Sequence, residues 1–312
     1  MNANNNRGAL RRGLRSLLDI EHLAAEEIQF LLRLARRMVP GRSRPLLRNR
    51  RIALLFYETS TRTRVSFEFA AKALGATTSV IHAQSSSIEK GESLVDTGYT
   101  LRATGADAIV IRHPAAGAPL LLARHLDIPV INAGDGMHEH PSQALLDAFT
   151  MLRHRRSLAG LRVAIVGDIY HSRVARSNAH LLSKLSAQVS LCGPAELAPD
   201  VAATLAPGVR LTRHMEDALR GADVVMMLRV QKERLAGRSI KVADYIAGYQ
   251  LTPERLKLAR RDALVMHPGQ MLRGMELTSE VADGPQSVIR EQVHNGVPMR
   301  MAILARSLGA VR

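Results

Sequence analysis

The chain has one cysteine, Cys192, and no tryptophan among its 312 residues. A single thiol cannot form an intrachain disulfide and cannot build a Cys-based zinc site. Aromatic residues make up 3% of the sequence, too few for the stacking platforms that hold single-stranded nucleic acid. No apolar run approaches the ~20 residues that span a bilayer. Residues 1–15 are rich in Asn and Arg and lack the apolar stretch of a secretory signal. The expected compartment is therefore the cytoplasm, with no membrane partner. Acidic residues are also scarce: 28 Asp and Glu against 43 Lys and Arg give a formal net charge of +15. The arginines are spread along the chain, apart from residues 7–15 and 153–156, and no helix-turn-helix or RNP-type pattern is present. A basic protein that handles small anions fits this better than a nucleic-acid binder. A positive field would raise the local concentration of anionic substrates.

Hydrophobic residues supply 46% of the chain, enough for a packed core, and the length suits about two domains. Residues 24–39 carry Ile28, Leu31, Leu32 and Ala35 on one face of an amphipathic helix. Apolar, strand-like runs then alternate with helical segments. The candidate strands are 52–56, 78–82, 108–112, 129–132, 162–166, 188–191, 224–228 and 263–266. Such alternation predicts βαβ units and an α/β fold, with ligands beyond the carboxyl ends of parallel strands. The first four strands fit one sheet and the last four another. A helix over 141–153 is expected to bridge two similar-sized domains. A long helical pattern over 287–308 is expected to return to the first domain.

The sharpest local signal is the end of the first strand. The apolar run stops at Thr59-Ser60-Thr61-Arg62-Thr63-Arg64, four hydroxyls and two guanidiniums within six residues. Helical spacing follows from Val65 to Leu74. Helix N-termini present unpaired N–H groups, and arginine adds a planar fork for phosphate oxygens. A capped surface helix with two solvated arginines is the bland alternative, for which one serine would suffice.

Other unusual polar residues also fall at strand ends. Arg112 closes a buried strand, where it meets either an anion or a structural carboxylate. His138-Glu139-His140-Pro141-Ser142-Gln143 follows a Gly134-Asp135-Gly136 turn. Two His and a Glu invite a metal reading, but no further ligand cluster accompanies them, and no metal is expected. His140 and Gln143 read instead as hydrogen-bonding groups at a helix start, although His140 alone also suits a core histidine. Gly167-Asp168 ends a strand like that of a dinucleotide fold, yet the G-x-G-x-x-G spacing is missing. Arg173 sits where the next helix begins, a good carboxylate receptor. Met227-Leu228 gives way to Arg229-Val230-Gln231-Lys232-Glu233-Arg234. Ser85 to Gly91 forms a polar loop of the kind that serves as a lid or as a plain connector. The inventory is cationic and polar, without a nucleophile paired to a base. It suits direct transfer between two anionic molecules through positioning and oxyanion stabilisation.

Together these motifs resemble the aspartate/ornithine carbamoyltransferase family over residues 17–308. Ser60-Thr61-Arg62-Thr63-Arg64 is similar to its carbamoyl-phosphate signature, and His140-Pro141-Ser142-Gln143 to its second element. The loop with Lys90-Gly91-Glu92 and the loop of Arg229 to Arg234 look like the aspartate type. The Ser-Met-Gly and His-Cys-Leu-Pro elements of the ornithine type are absent. The resemblance implies two α/β domains, 1–141 plus 289–312 for carbamoyl phosphate and 142–288 for aspartate. It implies that Ser60, Thr61, Arg62 and Thr63 hold the phosphate with Arg112. Thr63, Arg112 and His140 would polarise the carbamoyl oxygen. Gln143 and the carbonyls of Pro268 and Gly269 would take the carbamoyl amide. Arg173 would receive the α-carboxylate of L-aspartate, and Arg229 with Gln231 its β-carboxylate. Ser86 and Lys90 would enter from a neighbouring subunit of a homotrimer, and Glu58 would pair with Arg173 and Arg234 on closure. No organic cofactor is implied; a dihydroorotase or a regulatory chain is the candidate further partner. Transfer to another amino acid, or a catalytically weak assembly subunit, are the alternatives. The chain departs from the family pattern at Gln270, Leu272 and Glu89.

Overall fold

The computed structural model describes residues 16–82, 91–230 and 241–311, which fall into two compact units. The first comprises residues 1–145 and 295–312, and the second residues 146–294.

The first unit is built on a four-stranded parallel sheet: β1 (Arg51–Phe56), β2 (Thr77–His82), β3 (Ala108–His113) and β4 (Val130–Asp135). Their spatial order is β2-β1-β3-β4. Ile52, Leu54, Leu55, Ile109, Val110, Ile111, Val130 and Ile131 are buried, the continuous apolar pattern of strands covered on both faces. The covers are α1 (Ala25–Arg37), α2 (Thr61–Ala73), α3 (Leu94–Ala103) and α4 (Ala118–His125). Helix α1 buries Ile28, Leu31, Leu32 and Ala35, as its periodicity predicts. Acids in its first turn and arginines in its last complement the helix dipole. The segment before α1 seals the edge of β4, where the Leu17 N–H donates to Val130 O and the Asn132 N–H to Leu17 O.

The second unit holds five parallel strands: β5 (Arg162–Val166), β6 (Gln188–Cys192), β7 (Arg210–Thr212), β8 (Val224–Met227) and β9 (Leu264–Met266). Their order is β7-β6-β5-β8-β9. Strand β7 is absent from the sequence expectation. Its three residues include Arg210 and Thr212, lie half exposed at the edge and show no apolar run. Helix α5 (Pro141–His154) carries the boundary between the units within it, and α6 (Arg173–Lys184) follows β5. Short helices α7 (Met215–Leu219), α8 (Val242–Tyr249), α9 (Pro253–Leu256) and α10 (Ser279–Asp283) complete the unit.

The final helix, α11 (Ile289–Ser307), enters the first unit over its last two-thirds. There Arg306 pairs with Glu27 of α1 and donates to the carbonyl of Ser16. The Arg300 guanidinium lies 5.0 Å above the Phe67 ring of α2. These two contacts add to the burial of Met299, Met301, Ile303 and Leu304 in holding the helix.

Candidate active site

In the first unit, the expected residues follow the carboxyl ends of three adjacent strands. Helix α2 begins at Thr61, so Thr61, Arg62, Thr63 and Arg64 form its first turn. Ser60 occupies the N-cap, yet its hydroxyl makes no capping hydrogen bond. The bland reading of that serine as a cap is therefore not what the side chain does. Thr63 is buried, while Arg62 is half-buried. Desolvation pulls the Arg62 pKa below its ordinary value, with no carboxylate among the described residues contributing an opposing pull. The group remains a cation at neutral pH, and an anion is what such a cation attracts.

Arg112 stands beside this turn because β1 and β3 pair Phe56 with Arg112 in register. Its Nε lies 3.1 Å from Glu58 Oε2, and its Nη1 donates to Ala133 O at 3.4 Å. The structural salt bridge weighed for Arg112 thus exists, and it also holds the guanidinium at the strand ends. Glu58 pairs here with Arg112, which is not the expectation; of its expected partners, Arg173 belongs to the second unit and Arg234 lies outside the described residues.

Strand β4 differs from the expectation. It runs on to Asp135, so Gly134 and Asp135 belong to the strand, with a register shift against β3 between Ile111 and His113. The reason is the Asp135 side chain. Buried, it accepts from Asn132 Nδ2 at 2.8 Å, from the Gly117 N–H at 2.7 Å and from the Glu139 N–H at 3.2 Å. Its carboxylate also faces His138 Nδ1 at 3.1 Å, and this hydrogen bond raises the His138 pKa. Glu139 is buried too, accepting from the Ile20 and Glu21 N–H groups at 3.0 Å. So the His138 ring is engaged by Asp135 and the Glu139 carboxylate by backbone N–H groups, and among the described residues no group of His, Cys, Asp or Glu is placed to hold a metal ion. His140 and Gln143 are buried at the start of α5, with His140 Nδ1 3.4 Å from Ser142 Oγ.

In the second unit, the ends of adjacent strands β5, β8 and β9 bring the remaining groups together. Gly167 follows β5 at φ +133°, and a Cβ there would lie 3.0 Å from the Leu228 carbonyl oxygen. Only glycine permits this approach of the two loops. The next residue, buried Asp168, accepts from the His171 N–H at 3.1 Å and lies 3.0 Å from its ring Nδ1. Ser172 then caps α6, its hydroxyl accepting from the Ala175 N–H, and Arg173 opens the helix as a buried guanidinium. After β8, Arg229 neighbours the turn beyond β9, since a Cβ on Gly269 would be 4.0 Å from Arg229 Cβ. The turn contains Pro268, and the Gly269 N–H donates to His267 Nδ1 at 3.2 Å. All peptide bonds among the described residues are trans. Ser86, Lys90 and Gln231 lie outside the described residues.

Sequence reasoning missed Asp135, Asp168, His171 and Glu276, the buried acids and their partner that shape these loops. Each acts on backbone N–H groups or a near neighbour, and residue type alone carries no such signal.

Two parallel sheets, each with cations and hydrogen-bonding groups at the carboxyl ends of its strands, define a two-domain α/β protein for small anions. The chain belongs to the aspartate/ornithine carbamoyltransferase family: the carbamoyl-P binding domain matches residues 15–153 and the Asp/Orn binding domain residues 159–307. A relative from Koribacter versatilis, the aspartate carbamoyltransferase catalytic subunit, is 67% identical over 290 residues, covering 93% of this chain and 96% of its own. Among solved structures, ornithine carbamoyltransferase from Pyrococcus furiosus superposes with a TM-score of 0.86 at 30% identity, covering 96% of this chain and 99% of its own. Aspartate transcarbamoylase from Trypanosoma cruzi, in complex with carbamoyl phosphate and aspartate, gives 0.83 at 31% identity over 93% and 95%.

Proposed function

We propose that the chain transfers the carbamoyl group of carbamoyl phosphate to the α-amine of L-aspartate, yielding N-carbamoyl-L-aspartate and phosphate. The observation that carries the choice of acceptor is the buried Arg173 together with Arg229 in the second unit. Two guanidiniums suit a dicarboxylate and repel the second ammonium of ornithine. The high identity to an aspartate-type relative supports the same choice.

In this reading the first turn of α2 binds the phosphate through Ser60, Thr61, Arg62 and Thr63, with Arg112 beside it. The amine lone pair of aspartate attacks the carbamoyl carbon. The carbonyl π pair moves onto oxygen, and Thr63, Arg112 and His140 stabilise that oxyanion. The oxyanion collapses, the C–O bond to phosphate breaks, and phosphate leaves on Arg62. The amine proton passes to phosphate or to solvent. Gln143 and the carbonyls of Pro268 and Gly269 orient the carbamoyl amide. Arg173 takes the α-carboxylate, and Arg229 with Gln231 the β-carboxylate. Ser86 and Lys90 complete the site of a neighbouring copy in a homotrimer. The reaction feeds pyrimidine synthesis in the cytoplasm.

The test is a colorimetric ureido assay with carbamoyl phosphate and either aspartate or ornithine. Product with aspartate and none with ornithine is expected. Product with ornithine alone would overturn the assignment.

A further inference from the structure

We propose that Glu276 is a positioning residue of the acceptor site: one buried carboxylate fixes both the loop that carries Arg229 and the turn that carries Pro268 and Gly269. The inference rests on the carbamoyl-transfer reading above and extends it to a residue with no role in that chemistry.

Glu276 lies between the β9 turn and α10, and none of its surface is exposed. A carboxylate so placed loses its hydration, which destabilises it unless donors replace the water. The donors come from two separate segments. Oε1 accepts from the Val230 N–H at 3.0 Å, and Oε2 from the Leu272 N–H at 2.6 Å. Val230 directly follows Arg229, and Leu272 closes the turn begun by His267. The backbone of Glu276 is itself fixed, its carbonyl accepting from the Leu251 N–H at 2.9 Å.

A third link runs through His267, whose side chain is also fully buried. Its Nδ1 accepts from the Gly269 N–H, which leaves the ring proton on Nε2. Among the described residues Nε2 has no hydrogen-bond partner, and it lies 3.7 Å from Glu276 Oε2. The carboxylate thus polarises the ring that orients Gly269, while gripping the chain next to Arg229. The two targets are close, as the 4.0 Å approach between Arg229 Cβ and a Cβ on Gly269 requires.

A carboxylate suits this task because each of its two oxygens accepts. Glutamine has the same shape and one acceptor oxygen, so its NH2 must face the Val230 or the Leu272 N–H. One of the two segments would then be pushed away. A displacement of ~1 Å at a positioning group costs as much as 10²-fold.

Steady-state kinetics of Glu276→Gln against wild type test this. We expect the KM for aspartate to rise at least tenfold, the KM for carbamoyl phosphate to stay within twofold, and Glu276→Asp to lie between. A merely structural role would lower the active fraction and leave both KM values alone; that result overturns the proposal. If Glu276→Gln fails to fold, Glu276→Asp carries the test, and an unchanged KM for aspartate overturns it equally. Wild type that fails to carbamoylate aspartate in the same assay removes the functional reading and this inference together. Active wild type with an unaltered Glu276→Gln removes the inference alone.

Discussion

Arg62 is a half-buried guanidinium whose pKa is lowered by burial. In such surroundings a cation aimed at a departing phosphate counts for most, because little water screens it. Arg62→Ala should lower kcat by about 10²–10³-fold, the scale of losing one oxyanion donor, with an unchanged melting temperature. Wild-type turnover would remove the phosphate assignment. Arg229→Ala should instead raise the KM for aspartate far more than that for carbamoyl phosphate, and equal rises would contradict its role. His138 offers a stability test. Its hydrogen bond to Asp135 lifts its pKa above 6.5, against the opposing effect of burial. A raised folded pKa means the protonated ring stabilises the fold. That contribution is fully present below about pH 6.5 and fades as the pH rises through the folded value. His138→Gln should therefore cost more stability at about pH 6 than at about pH 9 in urea titrations. Partial exposure keeps the difference small, and equal costs would refute the pairing. Arg62 was legible in the sequence because apolar residues give way to hydroxyls and guanidiniums without transition. Glu139 was not, because its acceptors serve Ile20, 119 residues away.

Helix α6 shows what a single element does for the site. Asp168 folds the loop after β5 onto His171, Ser172 caps the helix, and Arg173 is its first residue. Ser172→Ala should cost about 1 kcal/mol, as lost N-caps do. Because the frayed turn contains Arg173, the KM for aspartate should rise as well. Denaturant unfolding together with kinetics reads both, and a stability loss with no change in KM would separate the cap from the site. Elements with strong patterns were readable. The α1 stripe and the apolar runs of β1, β3, β5 and β8 lie where periodicity put them. Strand β7 escaped because an edge strand of three residues buries too little to leave a pattern. The end of β4 was misread because Gly134 and Gly136 signal a turn, whereas the Asp135 hydrogen bonds keep the chain extended. Glycine marks a position of unusual φ, not its place in or out of a strand.

At the scale of the whole molecule, the net charge of +15 bears on the encounter with substrates. Both proposed substrates are anions, so kcat/KM for carbamoyl phosphate should fall as ionic strength rises from about 0.02 to about 0.3 M. A flat profile would mean that the charge does not steer. Mixing Lys90→Ala subunits with Arg62→Ala subunits should restore part of the activity if sites are shared in a homotrimer. No recovery would argue for self-contained sites. The lone thiol, Cys192, is buried at the end of β6, and desolvation pushes its pKa up to about 12. It should therefore stay unreacted with maleimides in the native protein and react only after denaturation, which mass spectrometry reads directly. Reporter cysteines placed at exposed Leu121 and Val201 would accept fluorescent dyes with no native background to subtract. Energy transfer between such a pair could then follow the two halves through turnover, in a chain that needs no prior removal of its own sulfhydryl.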